Sequence, residues 1–377
     1  MASVTCWSCG QQNDSRNLYC INCGQPLRAK MCPSCGQQVQ VNANACPRCG
    51  YSFQPQSLSA YRYSMNQSTP YVEPSFTPRR SLIENVKLIH NLIFSKRPPI
   101  YRASQEVYGR LPWSTINSSG KYLNYALFSI LAGVGLVFLI SLTEGVVDYF
   151  VVAFVTAIIP ALMYLLWMSR NDRFEPEPAW MIALAFGWGA LSTLPAIILN
   201  DLTFSLVGGW SGVAGLTEEP SKMLGVYLMA VSPNLRNEFN DHLDGLIYGA
   251  AAGLGFGFVE NILYITRLVG ENPLIIGIRA ITIGMHMFCT GLIGWWMGYL
   301  KVHGISINLT NILPALAYSA TLHMCWNTIG SFEYLSLIVF IAGPILVLYL
   351  NKMAKEALID EYYWGFASGY APVEMTR

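Results

Sequence analysis

Long apolar runs follow one another along the last two thirds of the chain, separated by short polar segments. Most runs have about the 20 residues that an α-helix needs to cross a bilayer. The pattern predicts eight membrane-spanning helices, at residues 122–142, 147–168, 180–199, 213–231, 244–268, 277–300, 310–329 and 333–350. Residues 122–351 are therefore expected to form an all-α polytopic membrane core, followed by a cytosolic tail at 352–377.

The first 53 residues have a different pattern, because they contain a repeat of short cysteine motifs instead of apolar runs. Two CxxC pairs, each followed by glycine, recur with an offset of 26 residues. Four thiolates in two such pairs bind one tetrahedral Zn²⁺, so residues 1–53 are predicted to be tandem zinc ribbons with two structural zinc ions. The predicted ligands are Cys6, Cys9, Cys20, Cys23, Cys32, Cys35, Cys46 and Cys49. A disulfide framework is the alternative, which the duplicated spacing and the expected absence of a signal peptide disfavour.

A linker and a short amphipathic segment join the two regions. Residues 54–80 are rich in Ser, Pro, Gln and Tyr without periodicity, which indicates a flexible linker. Ser81 and Glu84 then form a capping-box pattern at the start of a predicted helix. The apolar face of this helix contains Leu82, Val86, Ile89 and Ile93. Residues 81–121 are expected to be a juxtamembrane segment that packs on the core or lies on the membrane surface.

Composition and charge support a membrane location. Charged residues make up 12% of the chain and hydrophobic residues 53%, whereas soluble domains contain about 25% charged residues. An ordinary soluble enzyme and a disordered protein are thereby excluded. Lys and Arg occur before the first span and in alternate loops, while loops 143–146, 200–212 and 330–332 contain none. The positive-inside rule then predicts a multi-pass protein of the cell membrane with both termini in the cytosol.

Ionisable side chains are few within the predicted spans, and each is a candidate functional residue because charge is expensive in hydrocarbon. They include the adjacent pair Glu218 and Glu219, followed by Glu260, His286 and His323 on the next three spans. At about 1.5 Å per residue, all five lie in one layer roughly 8–14 Å below the outer surface. A small-residue stripe for close helix packing precedes Glu260 at Gly245, Gly249, Gly253 and Gly257.

These side chains match the chemistry of a hydrolytic zinc site. Two imidazoles and a carboxylate are typical ligands of a zinc ion that keeps one coordination position open. We expect Glu260, His286 and His323 to bind one catalytic zinc ion. Glu218 or Glu219 would then act as the general base on a bound water molecule.

Three further polar residues are expected to support the site. Lys222 and Arg279 can each pair with a glutamate, and Asn327, one turn beyond His323, can orient the imidazole or contact the substrate. A proton-coupled transporter is an alternative, since it also gathers carboxylates and histidines at mid-membrane, although no inverted repeat is evident. A membrane scaffold or sensor that keeps the fold without catalysis is a second alternative.

Several ordered motifs resemble those of the PrsW family of intramembrane metalloproteases, which are distant relatives of the CAAX prenyl endopeptidases. The motifs are Asp172-Arg-Phe-Glu-Pro-Glu-Pro178, Glu218-Glu-Pro-Ser-Lys222, Asp244-Gly-Leu-Ile-Tyr-Gly249, Gly255-Phe-Gly-Phe-Val-Glu260-Asn-Ile-Leu-Tyr264, Arg279 with His286, and Leu322-His-Met-Cys-Trp-Asn327. The resemblance covers roughly residues 140–350.

The resemblance implies an intramembrane peptidase that requires Glu218, Glu219 and His286 for activity. It also implies that Glu260 stands where the CAAX-type relatives have histidine, so a glutamate-activated water with little metal involvement is an alternative. Some family members are implicated in cleaving membrane-anchored anti-sigma factors, which begins regulated intramembrane proteolysis, so a membrane-anchored regulator is the implied substrate. The ribbons lie outside the resemblance and are expected to bind a cytosolic protein, because their modest basic excess gives no strong nucleic-acid signal.

Overall fold

The computed structural model describes the chain in segments. These are residues 3–5, 12–14, 30–31, 38–39, 81–94, 113–142, 148–172, 176–236, 238–302, 305–332 and 335–367. The chain divides into two units, and the larger consists of residues 76–97 and 113–358. Most of the described residues are helical.

Two short antiparallel hairpins lie within the cysteine repeat of the smaller unit. Their strands are β1 (Ser3–Thr5), β2 (Gln12–Asp14), β3 (Lys30–Met31) and β4 (Gln38–Val39). Thr5 pairs with Gln12 in the first hairpin and Met31 pairs with Gln38 in the second, so the offset of 26 residues extends to the strand register. The eight cysteines and the linker lie outside the described residues.

All eight predicted spans coincide with helices. The described helices are α1 (Leu82–Phe94), α2 (Trp113–Ser141), α3 (Tyr149–Ser169), α4 (Ala179–Leu206), α5 (Gly215–Val231), α6 (His242–Leu268), α7 (Ile275–Val302), α8 (Leu309–Gly330) and α9 (Ser336–Ala367). Six of them, α2, α3, α4, α6, α7 and α9, are long and apolar enough to cross a membrane. A count of eight is not confirmed, because α5 has only 17 residues and α8 contains many polar side chains.

Helix α1 begins with the predicted capping box and packs within the larger unit. The Ser81 N–H donates to the Glu84 carboxylate at 2.9 Å, and the Glu84 N–H donates to Ser81 Oγ at 3.3 Å. His90 connects α1 to α8, because its Nδ1 lies 3.2 Å from the Tyr318 hydroxyl. The buried apolar face consists of Leu88, Ile89, Leu92 and Ile93. Leu82, predicted on this face, is exposed.

Helices α6 and α7 approach each other at backbone distance because glycines line their contact. A Cβ added at Gly249 or Gly253 would collide with the carbonyl oxygens of Thr290 and His286 on α7. The reverse also holds, since a Cβ at Gly294 of α7 would meet the carbonyl oxygen of a glycine on α6. Small residues allow such close packing in membranes, where no hydrophobic effect drives helices together.

We expect Gly249→Ala to lower the melting temperature of the full chain in detergent by about 5 °C, because overpacking costs about 1–3 kcal/mol. Gly277→Ala on α7 is the matched control, since a Cβ there meets nothing within 4 Å and alanine favours the helix. Differential scanning fluorimetry compares the two variants. Equal melting temperatures would mean that the α6–α7 contact tolerates a side chain.

Candidate active site

The first turn of α5 presents the two adjacent glutamates. A turn at Gly208 and Gly209, with φ of 67° and 84°, ends α4 and leads through a 3₁₀ helix (Ser211–Ala214) into α5. Positive φ is accessible to glycine without strain, so the chain reverses within few residues. Successive helical residues point about 100° apart, so Glu218 and Glu219 face different neighbours.

Glu219 is fully buried and fully hydrogen-bonded. Its Oε1 accepts from Lys222 Nζ at 2.5 Å and from His323 Nδ1 at 2.8 Å. Its Oε2 accepts from the Thr290 hydroxyl of α7 at 3.1 Å. Glu219 therefore neutralises a buried ammonium group and fixes the orientation of one imidazole.

Glu218 is also buried, but only one of its oxygens is hydrogen-bonded within the described part of the chain. Oε1 accepts from the Asn200 amide of α4 at 3.1 Å. Oε2 has no hydrogen-bond donor and lies 3.5 Å from His323 Nε2. In the neutral tautomer of His323 that donates its one ring proton from Nδ1 to Glu219, Nε2 presents a lone pair. In that tautomer two buried acceptor atoms face each other.

Glu260 and His286 form a second cluster between α6 and α7. Glu260 Oε2 accepts from Arg279 Nη2 at 2.5 Å and from His286 Nε2 at 2.7 Å. Arg279 Nε also donates to Asn261 Oδ1 at 2.7 Å. Lys222 Nζ, which has only donors, lies 3.1 Å from His286 Nδ1, so the ring proton of this histidine is on Nε2. Lys222 and Arg279 thus pair with different glutamates.

The structure brings the sequence-predicted residues together from α5, α6, α7 and α8. The rings of His286 and His323 are 5.0 Å apart and nearly perpendicular. Ligand atoms of Glu218, His286 and His323 lie within 4.8 Å of one another, so these three could hold a metal ion. Glu260 contacts His286 without belonging to that group. Asn327 forms no side-chain hydrogen bond with the described residues, and so it does not orient His323.

Three contacts of the site were not predicted from the sequence. Asn200 was assigned to an outer loop, because the predicted span ended one residue before it, whereas α4 continues past this position. Thr290 lies one helical turn beyond His286, and Asn261 directly follows Glu260. A search for polar residues at helical spacing from each histidine would have found Thr290.

The site is more open on the side of Glu260 than on the side of the paired glutamates. The side chain of Glu260 is 17% exposed, whereas that of Glu218 is 5% and that of Glu219 is 0% exposed. A polypeptide approaching the cluster would therefore meet Glu260 first.

Comparison with known proteins identifies the two regions. Residues 177–351 match the PrsW family intramembrane metalloprotease, and residues 6–50 match the double zinc ribbon. Protease PrsW of Clostridioides difficile (strain 630) is 30% identical over 219 residues, which is 54% of this chain and 90% of the relative. The chain belongs to the PrsW family.

Two further relatives are similar over about half of the chain. Protease PrsW of Bacillus subtilis (strain 168) is 26% identical over 185 residues, 47% of this chain and 79% of the relative. Protease PrsW of Oceanobacillus iheyensis is 28% identical over 214 residues, 54% of this chain and 95% of the relative. No solved structure matches the chain.

Membership of the PrsW family confirms the resemblance that the motifs indicated, and it makes this chain an intramembrane protease and therefore a peptidase. Together with the apolar helices, it makes the chain a multi-pass membrane protein that acts on membrane proteins. The region that matches the family contains the whole cluster from Glu218 to Asn327. The description of the first family indicates a metal ion, and that of the second names zinc.

Proposed function

We propose that this PrsW-family protease cuts membrane-anchored proteins near the outer surface of the membrane, with Glu218 as the residue that activates water. The observation that carries the proposal is the pair of buried acceptor atoms, Glu218 Oε2 and His323 Nε2, 3.5 Å apart. Two buried acceptors in contact are unfavourable unless a proton, a water molecule or a cation joins them. A hydrolytic site requires a base that can accept a proton from a water molecule, and Glu218 Oε2 is an acceptor of this kind.

The two adjacent glutamates have different roles in the proposed mechanism. Glu218 Oε2 accepts a proton from the attacking water molecule as the water oxygen bonds to the scissile carbonyl carbon. It then donates this proton to the leaving amine. Glu219 already accepts from Lys222, His323 and Thr290, so it holds the site in shape rather than exchanging protons.

The residues also fit a catalytic zinc ion. In its neutral form His323 presents Nε2 to the ion and donates its other N–H to a carboxylate, as metal-bound histidines usually do. We assign the ion to His323, His286 and Glu260; His286 would bind it through Nε2 after giving up the proton that this atom donates to Glu260 Oε2 at 2.7 Å. Such an ion would lower the pKa of a bound water molecule and polarise the peptide carbonyl. Glu218 lies close enough to both histidines to reach that water.

Two further residues are assigned supporting roles. Arg279 lies 2.5 Å from Glu260 and holds its carboxylate in place through this ion pair. Asn327 is partly buried one turn beyond His323. Because its amide makes no hydrogen bond with the described residues, it is free to donate to the carbonyl oxygen of a bound substrate.

The position of the cluster supports the proposed orientation. Glu218 lies in the first turn of α5, on the side of the membrane where α4 ends, which the charge pattern assigns to the outside. Both termini would then be cytosolic. The substrate class we favour is a single-span regulator of the anti-sigma-factor type. The two ribbons, with one structural zinc ion each, would bind a cytosolic protein.

The proposal is tested by mapping new protein N-termini in membranes of cells that express the full chain. We expect N-termini near the outer ends of single spans with the unmodified chain and with Asp201→Asn, an exposed control beside the site. These N-termini should be missing with Glu218→Gln. The same N-termini with Glu218→Gln would reject the site, and N-termini confined to cytosolic flanks would reject the orientation.

A further inference from the structure

We propose that Asn200 is a positioning residue for Glu218. Its amide holds one oxygen of the carboxylate so that the other oxygen stays directed at the reacting water. This inference rests on the catalytic role proposed above for Glu218. It adds α4 to the helices that build the active site.

The orientation of the Asn200 amide is set by Glu218. Nδ2 donates to Glu218 Oε1 at 3.1 Å, and Oδ1 lies beside the hydroxyl of the buried Thr217, whose one proton has the Ala214 carbonyl oxygen as a second acceptor at 2.9 Å. The flipped amide would place Oδ1 against a carboxylate oxygen, which brings two acceptors together. The observed orientation of the amide is therefore the one that satisfies the Glu218 carboxylate.

Glu218 depends on this one donor. Among the described side chains, Asn200 alone donates a hydrogen bond to the Glu218 carboxylate, whereas Glu219 accepts from three. The last torsion of a glutamate side chain is broad and only weakly restricted by itself. Without the amide, Oε2 would lose its direction toward His323 Nε2.

The surroundings of Asn200 indicate a specific role. Ile198 is 70% exposed and Leu202 is 59% exposed, so apolar side chains of the kind that face lipid flank Asn200 and the exposed Asp201. A polar amide in such a stretch is costly unless it is hydrogen-bonded inside the protein. The Asn200 side chain meets this requirement through Thr217 and Glu218.

The first test needs no substrate. Asn200→Asp keeps the size of the side chain but places a second carboxylate against Glu218, so the full chain in detergent should melt about 5 °C lower. Combining Asn200→Asp with Glu218→Gln exchanges acid and amide and should restore the melting temperature to within about 2 °C of the unmodified chain. Asp201→Asn is the control on the neighbouring exposed position. A double variant that melts no higher than Asn200→Asp would overturn the inference.

The second test separates positioning from packing. The full chain is placed in liposomes with a reporter, a single span followed by an outer flank that carries a quenched fluorophore pair. Asn200→Ala should lower kcat about tenfold and Asn200→Asp about a hundredfold, with KM within about twofold. A packing role predicts the reverse order, because Asp preserves the shape and Ala does not. If the unmodified chain leaves the reporter uncut, the proposed substrate class fails, whereas the melting temperatures still decide the role of Asn200.

Discussion

Glu218→Gln is expected to lower kcat for peptide cleavage about 10³-fold while leaving the melting temperature within about 2 °C of the unmodified chain. Glutamine keeps the oxygen that accepts from Asn200 and the shape of the side chain, but it cannot take a proton from water. Glu218 Oε2 has no donor among the described residues, so its replacement by an amide group breaks no hydrogen bond. The new N–H can even donate to His323 Nε2.

Zinc content separates the roles of the carboxylate and the imidazole. In the full chain, mass spectrometry should find as much zinc with Glu218→Gln as without it, and about one ion fewer per chain with His323→Ala. Asp201→Asn should match the unmodified chain in both zinc and activity. Loss of zinc from Glu218→Gln would make this carboxylate a metal ligand, and retained cleavage would place the base elsewhere.

Glu219→Gln is expected to lower the free energy of unfolding by about 3–5 kcal/mol, because it leaves the Lys222 ammonium buried without a counter-ion. Lys222 is 0% exposed and lies 2.5 Å from Glu219 Oε1. Reversible unfolding of the full chain in mixed micelles measures this effect. The loss in free energy of unfolding should be larger for Glu219→Gln than for Glu218→Gln, although the two residues are adjacent.

A double variant provides the control for this destabilisation. Adding Lys222→Met to Glu219→Gln removes both charges and should recover a large part of the lost stability, since buried ion pairs are often replaceable by apolar groups of similar size. If the double variant is less stable than Glu219→Gln alone, the loss does not come from an unpaired charge. Glu219 would then act mainly through His323 and Thr290.

The positions of the helices and the grouping of the site residues could be predicted from the sequence. A long apolar run indicates each helix, and the cost of burying charge marks Glu260, His286 and His323 as candidate functional residues. The rise per residue places them at similar heights along their helices. The structure accordingly brings these side chains together.

The division of roles between Glu218 and Glu219 could not be predicted, because it depends on donors from other helices. The predicted third span ends at residue 199, because the adjacent polar residues Asn200 and Asp201 resemble the start of a loop. Helix α4 instead continues to Leu206, and the amide reaches Glu218. Thr290 likewise reaches Glu219 only through the close approach of α7.

The glycine contact between α6 and α7 has a consequence for substrate entry. The backbones of the two helices are in contact at Gly249 and Gly253, so no polypeptide fits between them. Separating the helices would leave a gap that no side chain at these glycines can fill. Glu260 and His286 are thereby held on two helices whose separation is fixed. We expect a substrate that meets Glu260 first to reach the remaining residues by displacement of α4 or α8 and not of α6 or α7, since the outer face of α4 consists of exposed leucine and isoleucine that can move within lipid at little cost.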